Sequence, residues 1–146
     1  MKTREELFEQ IKNFCNVEDC SCSCEKCKDM CRRCPCLGTP QDILAIAKAG
    51  YQDKLRPTVW GVLSNLYHKN YDIYMIQLDQ NSDGCCMFED GKCKLHDLGL
   101  KPTEGRLSVH GWIPLLEKSS TFAVAKEWCN TENEEAIKEL LLLMDK

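Results

Sequence analysis

The sequence predicts a small α+β fold, mostly helical, with a short β-hairpin, organised around a cysteine-rich metal-binding loop. Three observations lead there. The chain has 146 residues, room for one compact domain with a real core and too few for two ordinary ones. Seven of the seventeen residues at 20–36 are cysteine, and hardly any large apolar side chain lies among them. An Asp90-Gly91 pair sits between strand-like flanks and Cys86 and Cys93 bracket it, a short-range hairpin signal that places those cysteines near the open end, facing each other.

The elements follow in order. Residues 4–14 carry Leu7, Ile11 and Phe14 at helical intervals among charged residues, which predicts an amphipathic helix covering the core. After the cysteine-rich stretch, Thr39-Pro40-Gln41-Asp42 reads as a helix start. Thr39 is the N-cap, Pro40 takes the first helical position and Asp42 lies near the positive end of the dipole. Ile43, Leu44, Ile46 and Ala47 give that helix an apolar side, and Gly50 is placed to end it. Residues 58–67 are expected to be a second helix, against the weight of Gly61 and the β-branched residues.

Residues 71–78 alternate and are rich in strand formers, so a strand is expected there. From residue 98 to about 112 the chain is loop-like, with Gly99, Pro102, Gly105 and Gly111. Residues 122–128 and 134–144 look helical, the latter opened by Thr131 and Glu134 as a capping box. Ile137, Leu140, Leu141 and Met144 form the core-facing or partner-facing stripe of this C-terminal helix. No repeat or low-complexity linker interrupts residues 1–146, which are expected to form a single domain.

Composition excludes some functions. The formal charge is -4, with acids and bases mixed, and no basic face is suited to a nucleic-acid backbone. The longest apolar run, residues 140–144, falls far short of the roughly 20 residues that a membrane span needs. The start lacks an apolar core followed by a cleavage site, so a cytoplasmic location is expected. In a reducing compartment thiols stay available to metal, and the 12 cysteines are read as ligands in preference to a disulfide scaffold.

The chemistry lies in Cys24-Glu-Lys-Cys27-Lys-Asp-Met-Cys31-Arg-Arg-Cys34-Pro-Cys36, followed about fifty residues later by Cys86 and Cys93. A two-residue gap lets both sulfurs turn onto one ion while the intervening amides point at the thiolates. A tetrahedral zinc site would use four such ligands at about 2.0 to 2.3 Å. An iron–sulfur cluster also needs thiolates, and Pro35 after Cys34 matches a ferredoxin string, although the gaps here run two, three, two instead of two, two, three. Cys27, Cys31 and Cys34 have the spacing of radical-SAM enzymes as well, but the chain is too short for the barrel those enzymes build.

Two blocks carry a family resemblance. The first is Cys24-x2-Cys27-x3-Cys31 with Pro35-Cys36-x-Gly38-Thr39-Pro40-x-Asp42 and Ala49-Gly50-Tyr51. The second is Cys86-Met-Phe88-x3-Cys93-x-Leu95-His96-Asp97-Leu98-Gly99-Leu100-Lys101-Pro102-Thr103-Glu104-Gly105-Arg106. Over roughly residues 20–112 the chain resembles the YkgJ-like cysteine-cluster family of zinc- or iron-chelating domains. The resemblance implies one metal site built jointly by both blocks, with Cys24, Cys27, Cys31, Cys36, Cys86 and Cys93 as ligands. The family's first group usually closes on two adjacent cysteines. Here Pro35 separates Cys34 from Cys36 and the adjacent pair is Cys85-Cys86, so the ligand in each pair stays open.

His96, three residues after Cys93, is the best nitrogen-ligand candidate, the alternative being a polar residue that caps the loop; His110 could reach the same site, while His68 reads as a surface residue. Glu104 and Arg106 are expected to pin their loop by pairing with each other, or else to serve the metal site or an anionic substrate. Cys15, Cys20 and Cys22 could supply a second metal; Cys129 reads as a small buried hydrophobe near Trp128.

A metal-binding protein holding zinc or iron, the latter in an iron–sulfur cluster, is the leading expectation, with a protein partner possible through the C-terminal helix. The alternatives are a metalloenzyme or enzyme component that uses an open metal position for redox or group-transfer chemistry, and a metal carrier or sensor. No Ser-His-Asp order, phosphate loop or paired catalytic carboxylates accompany the cysteines.

Overall fold

A computed structural model describes residues 2–15, 37–64, 69–81, 84–89, 92–107 and 120–145. The first helix, α1, spans Arg4–Cys15 and buries Leu7, Phe8, Ile11 and Cys15. Thr3 opens it with a capping box: the Thr3 hydroxyl accepts from Glu6 N at 3.2 Å, and Thr3 N donates to the Glu6 carboxylate at 3.2 Å. That backbone donation holds the Glu6 carboxyl below its usual range. The small stabilisation it brings is present above the ordinary carboxylate pKa and is lost as pH falls through the depressed one.

Helix α2, Pro40–Ile46, starts as expected. The Thr39 side chain accepts from Asp42 N, and the Asp42 side chain accepts from Thr39 N. The helix runs into a π-helical turn, Ala47–Tyr51, where Gly50 takes φ 99°, a left-handed conformation that favours glycine. A 3-10 turn, Gln52–Lys54, leads into β1.

Of the stretch expected to be a second helix, residues 58–64 are strand, and 65–67 lie outside the described residues. Strand β1, Leu55–Ser64, pairs antiparallel with β2, Lys69–Leu78, from Leu55 opposite Leu78 to Ser64 opposite Lys69. The helical reading gave too little weight to Thr58, Val59, Trp60 and Val62, which favour a pleated surface, and to the long partner strand that completes their backbone bonding. Ile73, Met75 and Gln77 alternate along β2 and are buried, whereas Val59 and its partner Tyr74 are exposed.

Two small antiparallel pairs follow: β3, Gln80–Asn81, with β4, Gly84–Cys85, and β5, Phe88–Glu89, with β6, Lys92–Cys93. The hairpin signal is therefore met, although the residues at its tip, Asp90 and Gly91, lie outside the described residues. One-turn helices α3, Lys94–Asp97, and α4, Thr103–Arg106, come next, the latter inside the stretch expected to be loop.

Helix α5, Ser120–Ala125, continues into a 3-10 turn, Lys126–Cys129. The last helix, α6, spans Glu134–Met144. Thr131 and Glu134 do not form the expected box, because Thr131–Asn133 is itself a 3-10 turn, capped by Asn130 accepting from Glu132 N. Ala136 and Leu140 are buried, Ile137 and Met144 pack at the core edge, and Leu141 and Leu142 are exposed.

The core joins Leu7, Phe8 and Ile11 of α1, Ile43 and Ile46 of α2, Ile73 and Met75 of β2, and Ala123, Val124 and Leu140 from the C-terminal helices. No helix among the described residues is long and apolar enough to cross a membrane.

Candidate functional site

The expected ligands divide into two sets. Cys24, Cys27, Cys31, Cys34 and Cys36 lie outside the described residues, as do Cys20, Cys22, His68 and His110. Cys86, Cys93 and His96 are in the described part: Cys86 in the turn after β4, Cys93 in β6 and His96 in α3.

Cys86 is half-buried. Its N–H donates to Asp79 O at 3.0 Å, its thiol points at Lys54 O at 3.7 Å, and Asp79 N donates to the same Lys54 carbonyl at 2.9 Å. This bonding ties the second cysteine group to the end of the β1–β2 ribbon. The expected facing of Cys86 and Cys93 is corrected by the register: a two-residue tip pairs Cys93 with Phe88, and Lys94 N donates to Met87 O at 3.0 Å, which leaves Cys86 beyond that rung. Among the described residues, no group of three or more histidine, cysteine, aspartate and glutamate side chains is arranged to hold a metal. The wider donor set read from the sequence is mostly thiolate, a chemistry suited to zinc or iron–sulfur.

Immediately after Cys36, three successive peptide units are each held by side chains from elsewhere. Leu37 N donates to Glu104 Oε1 at 3.0 Å, and Glu104 N donates to Leu37 O at 3.1 Å. Gly38 N donates to Gln77 Oε1 at 2.9 Å, and Gly38 O accepts from Gln77 Nε2 at 3.1 Å and from Trp128 Nε1 at 2.8 Å. Thr39 N donates to Asp42 Oδ2 at 3.0 Å. Leu37, Thr39, Gln77 and Trp128 are all buried, so the bonds to Gln77, Trp128 and Asp42 are made away from competing water, while the Leu37–Glu104 side-chain bond is only partly buried.

Asp42 is the centre of this clamp. Fully buried, it accepts on Oδ2 from Thr39 N, from Thr103 N at 2.9 Å and from the Thr103 hydroxyl at 2.6 Å, while Oδ1 accepts from Arg4 Nε at 2.8 Å. Arg4 also donates to Gly99 O at 3.2 Å and Lys101 O at 2.9 Å. One guanidinium and one carboxylate thus bind α1, the start of α2 and the segment between α3 and α4. Glu104 and Arg106 both pin that segment: Glu104 takes Leu37, and Arg106 reaches Glu5 at 3.0 Å with its guanidinium 3.5 Å from the Phe8 ring centre.

Gly38 sits where space is tight. A Cβ there would meet Asp42 Cβ and Ile43 Cδ1 at 3.0 Å and Pro102 Cβ at 3.3 Å, all atoms of packed residues. Gly38→Ala is expected to cost about 1–3 kcal/mol, as overpacking does, read as a lower urea midpoint at unchanged slope. A midpoint equal to that of the parent would show that the clamp yields more easily than its geometry indicates.

Sequence reasoning placed Asp42 as a helix-end residue but missed its bonds to Arg4 and Thr103, which join positions far apart in the chain. Gln77 was missed as well; its one local signal was an amide at a core-facing strand position. Cys129 is exposed, contrary to expectation, because the 3-10 turn directs Trp128 into the core and Cys129 outward. A groove of about 460 Å³ lies between the ribbon and α6, lined by Val59, Tyr74, Ile76, Trp128, Ile137 and Leu141 among others.

No protein-family model matches the chain, and neither does any curated protein or solved structure.

Proposed function

We propose that this chain is a metal-binding protein of YkgJ-like type, in which Cys24, Cys27, Cys31, Cys34 or Cys36, Cys86 and Cys93, with His96 as a nitrogen candidate, hold zinc or an iron–sulfur cluster. The observation that carries the reading is the reciprocal bonding of Leu37 and Glu104. It fixes Leu37, the residue after Cys36 in sequence, against the segment that runs on from Cys93. The spacing of the first group and the scarcity of apolar side chains within it supply the remaining support.

Protein purified without oxygen is expected to contain zinc or iron in a fixed ratio to the chain. A brown solution absorbing near about 400 nm identifies the cluster, and a colourless one with zinc excludes an electron carrier. Cys27→Ser and Cys93→Ser are each expected to lower metal content. Unchanged content in both variants would refute the shared site.

A further inference from the structure

We propose that the apolar groove between the β1–β2 ribbon and α6 docks an amphipathic helix of a partner protein, one whose apolar stripe is flanked by lysine or arginine. The proposal is independent of the metal-binding reading, since the residues it uses belong to the ribbon, to α6 and to the C-cap of α6.

The ribbon explains the groove. Pairing sets Leu55 opposite Leu78, Pro57 opposite Ile76 and Val59 opposite Tyr74, and alternation puts these three pairs on one face. Burial runs out along that face: Leu55, Leu78 and Ile76 are buried, whereas Val59 is 49% and Tyr74 79% exposed. On the other side, α6 lines the groove with Ile137 and Leu141, and Leu141 is itself 48% exposed. Leu142 is exposed as well, so apolar surface continues from ribbon to helix around a cleft of about 460 Å³. Contiguous apolar surface with a polar rim is the mark of an interaction site. A sheet face covered only in part by one helix is completed by a second helix laid beside it, which fills the groove with side chains one turn apart.

Charge selects the partner. Asp72 shares the strand face of Tyr74, opposite Gly61, while Glu134 lies one turn before Ile137 and Asp145 one turn after Leu141. All three are exposed, and none makes an ion pair among the described residues. Of the cations on these elements, Arg56 pairs with Asp79 at 2.8 Å and Lys138 faces Glu135 at 3.9 Å. The rim is therefore acidic. Two copies joined groove to groove would set that rim against itself, and an anionic bilayer or a nucleic-acid backbone would be repelled by it. A helix with basic residues beside an apolar stripe matches both the floor and the rim.

The test is the binding of fluorescent helical peptides to the full chain under reducing, oxygen-free conditions. Two peptides of about 18 residues share a leucine stripe at one-turn spacing; one has lysine flanks, the other glutamate flanks. The lysine peptide is expected to bind the parent at least about tenfold more tightly than the glutamate peptide, with the preference shrinking at high salt. A scrambled lysine peptide, with the same composition but no stripe, is expected to bind at least about tenfold more weakly. Tyr74→Ser and Leu141→Ser are each expected to weaken the lysine peptide about tenfold, the loss of an apolar anchor, while thermal unfolding stays close to the parent's because both side chains are largely exposed. Should Leu141→Ser not fold, Tyr74→Ser decides alone. Asp72→Asn, Glu134→Gln and Asp145→Asn combined are expected to weaken binding about tenfold, since rim charges contribute little singly. The proposal is overturned by failure of the lysine peptide to bind, by equal binding of the glutamate or scrambled peptide, or by parent-like binding in Tyr74→Ser or in the combined variant. It is overturned too if the parent sediments as a dimer that Tyr74→Ser dissociates, which would give the groove to a second copy, or if it floats with phosphatidylserine vesicles and Tyr74→Ser abolishes that.

Discussion

Asp42→Ala is expected to lower the free energy of unfolding by about 3–5 kcal/mol, the range seen when one partner of a buried ion pair is removed. The size follows from what the substitution strands. Asp42 has no exposed surface, and its two oxygens accept from Arg4 Nε, Thr39 N, Thr103 N and the Thr103 hydroxyl. Alanine leaves Thr39 and Thr103 with buried donors, each costing about 1–3 kcal/mol, although relaxation and water entry recover part of that sum. The Arg4 side chain is 19% exposed and can turn toward solvent, which keeps the estimate at the middle of the range. Thr103→Val, which removes the hydroxyl alone, is expected to cost about 1 kcal/mol. Urea denaturation of the three chains measures both. A loss below about 1 kcal/mol for Asp42→Ala would mean that the clamp is not the structural centre described above.

What the sequence revealed of this fold, and what it hid, divides along a physical line. Signals confined to neighbouring residues were readable: Leu7 and Ile11 one turn apart on α1, Thr39-Pro40 before Asp42, Gly50 at the helix end and Asp90-Gly91 at a hairpin tip. The misreading of residues 58–64 arose where local pattern is weak and pairing decides. Val59 and Thr58 favour a strand, but that preference tells only where a partner such as β2 completes the pairing. Asp42 had a local role, as an N-terminal helix acid, and its larger role is with Arg4 and Thr103, residues no periodicity connects to it. The same division runs through the candidate site. Cysteine spacing marks out candidate ligands because metal geometry acts over two or three residues, whereas the Glu104 contact with Leu37 spans a separation of 67 and carries no sequence signature.

Removing the proposed metal is expected to have an effect confined to one segment, and larger there than any substitution elsewhere. Between residues 16 and 36 the large apolar side chains are Val17 and Met30, which if fully buried would contribute about 3–6 kcal/mol together. Ordering the 21 residues of that stretch costs about 1–2 kcal/mol each in backbone entropy, several times more than burial returns. Structural zinc in short peptides supplies an apparent 10–16 kcal/mol or so, a figure already net of ordering the ligand loop. Chelation is therefore expected to abolish slow amide exchange across residues 16–36, and acidification to do the same as thiolates take up protons and release the ion. The boundary of the change is set by the clamp. Leu37, Gly38 and Thr39 are bonded to Glu104, Gln77, Trp128 and Asp42, none of which is a cysteine or histidine, so their amides should stay protected when those before them do not. Equal protection of residues 16–36 with and without chelator would remove the metal from the account of that segment. Loss of protection running on past Leu37 into α2 would instead show that the clamp depends on the ion.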